Sequence, residues 1–212
     1  MSRAPGMERR PLGRSGPPVS VVGLGTNSFG SRMPDDAVGP VVTRALDCGI
    51  NLFDTADVYG AGESERLLGL ALRGRRREAL IATKFGKPMR GGDPNQPRRR
   101  AQYIRDAAEA SLRRLGTDVI DLYLMHKPDS MTPIAESMGA LGELVEAGKV
   151  RWIGCSNFSS HEVEEAQTGA NAHRQTSFTC AQDEYSLLSR DAERELLPTL
   201  DRLGMRLLPY FP

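Results

Sequence analysis

Seven short apolar runs constrain this chain more than any other feature. They lie at 19–24, 50–53, 79–83, 120–125, 150–154, 176–181 and 206–209, and helical patterns separate them near 35–48, 64–73, 101–115, 133–147, 160–168 and 190–203. The runs are dense in Val, Ile, Leu and Phe and show little polar alternation, which is how parallel strands covered on both faces read. Strand and helix alternate with no break in composition. That order admits an open doubly wound sheet or a closed (β/α) barrel. A dinucleotide-binding open sheet carries G-x-G-x-x-G after its first strand. Here "GLGTNSFG" places glycines at 23, 25 and 30, which misses that spacing. The pattern therefore predicts an α/β chain of (β/α)8 TIM-barrel type.

Local punctuation agrees with these elements. Thr132-Pro133 reads as a helix cap followed by proline at the first helical position. "SSHE" at 159–162 is a capping-box pattern. Gly116, Gly148 and Gly204 each follow a helix, where a left-handed residue is wanted. Pro198 is predicted to kink or split the last helix. The Gly/Pro-rich stretch "GKPMRGGDPNQPRRR", 86–100, is long enough for a lid or binding loop. At 212 residues and 39% hydrophobic, the chain suits one domain over 1–212.

Charge and cysteine usage narrow the class. With 28 basic and 27 acidic side chains the net charge is +1, so no global field points to nucleic acid or a membrane surface. The arginines at 73–78 and 97–100 then read as solvated basic loops. No apolar run approaches the roughly 20 residues that span a bilayer, and the first residues lack the apolar core of a secretory signal. Cys48, Cys155 and Cys180 contain no C-x-x-C pair and fit reduced thiols, hence a cytoplasmic setting. His126, His161 and His173 show no metal-ligand spacing with them, so no metal is expected.

The chemistry concentrates where the runs end. The first ends on Gly25 and Thr26, the second on Asp54, the third on Lys84 and the fourth on His126. The fifth ends on Ser156 and Asn157, the sixth on Gln182, the seventh on Tyr210. Barrel enzymes build their sites from these ends. Each residue alone has a plain alternative: a capping Asp54, a solvated Lys84, a loop His126, a rim aromatic at Tyr59, a helix cap at Ser156-Asn157, a buried filler at Cys155. Together, Asp54, Tyr59, Lys84 and His126 suit proton delivery to an alkoxide forming on a carbonyl. A free tyrosine titrates near 10, and an ammonium close by stabilises the phenolate. No side chain supplies hydride, so a nicotinamide cofactor is implied. Phe29, Phe85 and the 86–100 loop are expected to line an apolar pocket.

At this point the chain resembles the aldo-keto reductases. "NLFDTADVYGAGESE" is similar to that family's signature, and "ATKFG", "DLYLMHKPD", "GCSNFS" and "PYFP" follow in its order. "RRPLGRSGPPVSVVGLGTNSFG" looks like its N-terminal β-hairpin and first strand. The resemblance implies NADP(H)-dependent interconversion of small aldehydes or ketones and alcohols. It implies Tyr59 as proton donor, Lys84 as the cation beside it, Asp54 as the support of Lys84, and His126 as the group that orients the carbonyl. Ser156, Asn157 and Gln182 would hold the nicotinamide carboxamide and Tyr210 would stack on the ring, with Gly25, Thr26 and Asp54 also at the cofactor.

Seven barrel strands are countable where the fold closes with eight. The chain is therefore expected to be a C-terminally shortened member that lacks the eighth strand, the last helices and the phosphate-binding segment. Two unpaired sheet edges would then invite self-association. The alternative function is a catalytically impaired barrel remnant acting as a scaffold.

Overall fold

The computed structural model describes residues 6–88, 98–129, 131–172 and 176–212. Residues 89–97 of the expected lid loop, and His173, lie outside the described residues. The chain opens with an antiparallel hairpin, β1 (Arg9–Pro11) and β2 (Pro18–Ser20). The strands of the main sheet follow as β3 (Leu24–Gly25), β4 (Leu52–Asp54), β5 (Leu80–Phe85), β6 (Ile120–Met125), β7 (Val150–Ser156), β8 (Phe178–Glu184) and β9 (Arg206–Tyr210). Neighbours in sequence are neighbours in space, and every pairing is parallel. Six α-helices among the described residues fill the crossovers: α1 (Asp35–Asp47), α2 (Glu63–Ala71), α3 (Ala101–Leu115), α4 (Ile134–Glu146), α5 (Ser160–Ala172) and α6 (Leu196–Leu203).

The sheet is strongly curled, and one bond demonstrates it. Gln182 Nε2 on β8 donates to Asp54 Oδ1 on β4 at 2.9 Å. Four strand spacings separate these strands, which in a flat sheet would be about 19 Å. Curling splits the apolar residues into two clusters. Phe53, Ile81, Phe85, Tyr123, Met125, Ile153 and Phe178 face outward and pack against the helices. Leu52, Ala82, Leu122, Leu124 and Cys180 face inward and meet Leu12 and Val19 of the hairpin, which plugs the strands' N-terminal end. Each strand is apolar on both faces, so its period of two is hidden in the sequence. Gly154 sits on the inner face because nothing larger fits. A Cβ there would lie 2.6 Å from the Cys180 carbonyl oxygen and 2.6 Å from Leu124 Cδ2.

Several expectations are corrected here. The 19–24 run is two elements, since β2 turns back on β1 before β3 begins. The sixth run ends later than its sequence suggests, with β8 reaching Glu184. Thr132 does not cap α4: its hydroxyl has no partner among the described residues, while Asp129 Oδ1 accepts the Met131 and Thr132 amides. The capping box holds. Glu162 accepts the Ser159 amide at 2.8 Å and its own amide reaches Ser159 Oγ at 3.3 Å. Pro198 lies in the first turn of α6, where its missing N–H has no intrahelical role, and the 190–203 segment breaks into a short 3₁₀ turn and α6. The 73–78 arginines are partly absorbed by ion pairs. Arg75 binds Asp47 and Glu78, and Arg76 binds the buried Asp121.

Candidate active site

The inward phase of each strand carries polar groups to one opening. Asp54 follows Leu52, Lys84 follows Ala82, His126 follows Leu124, and Gln182 follows Cys180, two residues on in each case. Ser156 continues β7 and Tyr210 continues β9 on the same alternation. Strand pleat thus aims these side chains at a common space.

Lys84 is the centre of this group. Its side chain is 1% exposed, against 22% for that of Asp54. Its Nζ donates to Asp54 Oδ2 at 2.7 Å and to the Thr55 carbonyl at 2.8 Å. The third acceptor is the Tyr59 hydroxyl at 3.4 Å, and Nζ stands 5.0 Å from the Tyr59 ring centroid. Asp54 is held from its other oxygen by Gln182. The ammonium is therefore buried, charge-paired and aimed at one phenol. Tyr59 opens a turn, Tyr59–Gly62, in which Gly60, Ala61 and Gly62 have φ values of 56°, 56° and 96°. That left-handed run lets the chain reverse between β4 and α2 within a few residues.

His126 meets Tyr59 edge to face, with ring centroids 6.0 Å apart. Its backbone amide donates to the Phe85 carbonyl at 2.8 Å. Burial pushes its imidazole down to about 2, with Lys84 and Lys87 adding to the shift, so the ring is neutral across the physiological range. Its Nδ1 is buried and has no partner among the described residues.

Ser156, Asn157 and Tyr210 form a second set. Asn157 Nδ2 donates to Ser156 Oγ and to the His126 carbonyl, each at 2.9 Å. The Tyr210 hydroxyl bonds Asn157 Oδ1 at 2.9 Å. Asn157 has φ 58°, a left-handed backbone that asparagine tolerates better than most residues. Gly25 ends β3 beside open space, since a Cβ there would meet nothing within 4 Å.

Thr26, Phe29 and Phe85 are all buried. Thr26 is fully buried, and its hydroxyl is taken up by the Asp54 carbonyl at 3.0 Å and Ser64 Oγ at 2.7 Å. It braces the strand end that carries Asp54. Phe29 and Phe85 do not line a pocket. Both are buried in the helix-facing layer, and Phe85 stacks on Tyr123 with centroids 4.7 Å apart. The reason is the pleat: Phe85 follows the inward Lys84 by one residue and so points outward. Sequence reasoning missed Ser64, Thr55 and Asp57. Ser64 bonds Thr26 and Thr55 together, and Asp57 sits buried two residues before Tyr59. The only sequence signal for them was their place inside the 51–65 stretch.

The family model described as "Aldo/keto reductase family" matches residues 21–212. The chain belongs to the aldo/keto reductase family. It is similar to "Probable aldo-keto reductase 1" of Glycine max, 39% identical over 206 residues, which is 95% of this chain and 58% of that protein. Its structure is similar to that of aldo-keto reductase AKR11C1 from Bacillus halodurans in its holo form, at a TM-score of 0.85 and 33% identity. That match covers 96% of this chain and 65% of the solved one. The chain thus spans under two thirds of the length of either relative. No helix among the described residues is long and apolar enough to cross a membrane.

Proposed function

We propose that this reductase-family chain carries the catalytic and nicotinamide-holding residues of an NADP(H)-dependent enzyme that reduces small aldehydes or ketones to alcohols. One observation carries this reading. A buried ammonium, Lys84 Nζ, is held between the Asp54 carboxylate and the Tyr59 hydroxyl, with a neutral histidine against the same phenol.

The roles follow from charge and geometry. The Tyr59 hydroxyl donates its proton to the carbonyl oxygen as that oxygen becomes an alkoxide. Lys84 stabilises the phenolate left behind, at low local dielectric and with no solvent to screen it. Asp54 pairs with Lys84 and fixes it on the Tyr59 side, and Gln182 fixes Asp54. His126, being neutral, offers a ring N–H to the substrate oxygen without competing as an acid. The edge contact sets this ring beside the Tyr59 phenol.

The donor set also fits a nicotinamide. Ser156, Asn157 and Gln182 gather hydroxyl and amide groups at one opening, which is what a planar carboxamide requires. Tyr210, half-buried beside them, offers a ring face. The bound cofactor would supply the hydride. The residues of this chain hold it there and deliver the proton.

Titration of the 212-residue chain with NADPH, followed by nicotinamide fluorescence, tests cofactor binding. Saturation at micromolar concentration supports the reading, and a folded chain that does not bind overturns it.

A further inference from the structure

On the outer face of the sheet, behind Lys84, lies a buried polar group that the proton transfer above does not use. Thr83 and Tyr123 are register partners on β5 and β6 and share the phase opposite to Lys84. Thr83 Oγ1 donates to Glu65 Oε1 at 2.6 Å, and Arg114 Nε donates to Glu65 Oε2 at 2.6 Å. Glu65 is fully buried, and both its oxygens are taken. Asp57 differs. It is 2% exposed, and its Oδ1 has no partner among the described residues. The Tyr123 hydroxyl, also fully buried, is likewise without one.

Two contacts join this group to Tyr59. The Asp57 amide donates to the Lys84 carbonyl at 3.1 Å, which ties the start of the Tyr59 turn to the strand that bears the ammonium. At the other end of the turn, Gly62 lies against Arg114. A Cβ on Gly62 would stand 2.7 Å from Arg114 Cδ. Between these points Ala61 is held at φ 56°, a conformation an alanine keeps only when its surroundings impose it. The turn that presents Tyr59 is thus bracketed by the Asp57 backbone at one end and the Arg114 side chain at the other.

We propose that Asp57 is a positioning residue for Tyr59, and that its carboxyl holds the turn in the uncharged state. The proposal rests on Tyr59 being the proton donor. The charged and titratable groups facing Asp57 are Glu65 from α2, Arg114 and Tyr103 from α3, Lys84 from β5 and Tyr123 from β6. Arg114 is neutralised by Glu65 and Lys84 by Asp54, so neither cation is left for an Asp57 carboxylate. Burial, with the Glu65 charge second, pushes the Asp57 carboxyl up to about 7, and Arg114, the Val58 amide and Lys84 offset only part of that. Ionisation above that point places a second negative charge beside Glu65 in a dry site. Opening of the Tyr59 turn relieves it.

Hydrogen exchange of the 57–62 amides tests this on the whole chain, from pH 6 to pH 8.5, with intrinsic rates divided out. Wild-type protection is expected to fall about tenfold across that range, while Asp57→Asn stays level. In carbonyl reduction, wild-type kcat is expected to fall on the basic side, and Asp57→Asn to move that limb upward while KM changes less than about twofold. An Asp57→Asn chain that follows the wild-type pH profile in both readouts overturns the proposal. So does a wild-type turn whose protection is unaffected by pH, a result that needs no variant. A chain that reduces no carbonyl at any pH defeats the proposed function instead, and the exchange profile then decides on Asp57 alone.

Discussion

Each end of the curled sheet holds a buried ion pair, and the two are built in opposite senses. At the C-terminal end the cation is buried: Lys84 is 1% exposed, and Asp54 opens toward the cleft. At the N-terminal end the anion is buried. Asp121 is 1% exposed, and Arg76 and Arg151 lead out to solvent. Asp121 is fully served, by Arg76 Nη2 at 2.6 Å, Arg151 Nη1 at 2.5 Å and the Ile81 amide at 2.9 Å. Around Lys84, by contrast, the phenol contact is long, and the buried His126 Nδ1 has no partner among the described residues. A fully satisfied network holds strands together. A partly satisfied one is maintained at a cost in stability. The same residue types are therefore fully paired at one end and left with a long contact at the other.

The largest effect expected from this contrast is at Tyr59. Tyr59→Phe should lower kcat for carbonyl reduction by about 10²- to 10⁴-fold with thermal unfolding unchanged, since it removes the proposed proton donor and no packing. An unaltered rate would remove the chemical role from the C-terminal end. Asp121→Ala should do the reverse. It leaves two arginines and the Ile81 amide unmatched. We expect a loss of about 3 kcal/mol by urea denaturation, near the low end for a broken buried pair because both arginines reach water. Its kcat should not change where the chain is folded. A shift in kcat as large as that of Tyr59→Phe would erase the distinction between the two ends.

The pH response sharpens the comparison further. His126 is held down to about 2, below its ordinary value near 6.5. The folded chain then binds fewer protons than the unfolded one below pH 6.5. His126 accordingly contributes stability above that pH which is lost as pH falls, by up to about 1.4 kcal/mol per unit. His126→Gln should flatten the decline between pH 6 and pH 5 in denaturant titrations, and the wild-type imidazole should show no NMR titration from pH 5 to pH 8. A midpoint near 6.5 would contradict the buried, neutral ring. The smallest effect belongs to Arg151, whose side chain is 53% exposed. Arg151→Met should cost no more than about 1 kcal/mol, as for other solvent-screened pairs, because Arg76 still holds Asp121. A larger loss would mean that the two arginines act as one unit.

Much of this was legible in the amino-acid order. The strands β4 to β9 and most helices were readable because apolar runs and helical periods are local. The candidate site was readable because each polar residue interrupts an apolar run at its end, and because Ser159 and Glu162 stand at capping-box spacing. Phe85 was misread as pocket-lining, since a strand that is apolar on both faces conceals which residue points inward. The setting of Thr26 was not legible, since nothing local says that Ser64, on a helix, bonds its hydroxyl. Asp57 was overlooked because its isolation depends on Arg114 being taken by Glu65.

By itself, the sequence determined which segments are strands and helices, their alternating order, and which residues stand at the strand ends. These depend on backbone preference and on short-range hydrophobic pattern. Only the tertiary structure decided how far the sheet curls, and so that Gln182 reaches Asp54 across four strands. It alone decided which phase faces the cleft and which buried carboxyl keeps an oxygen without a partner among the described residues. Those outcomes come from packing between segments far apart in the chain. Hydrogen-bond satisfaction and charge state belong to the assembled environment, and no residue carries them alone.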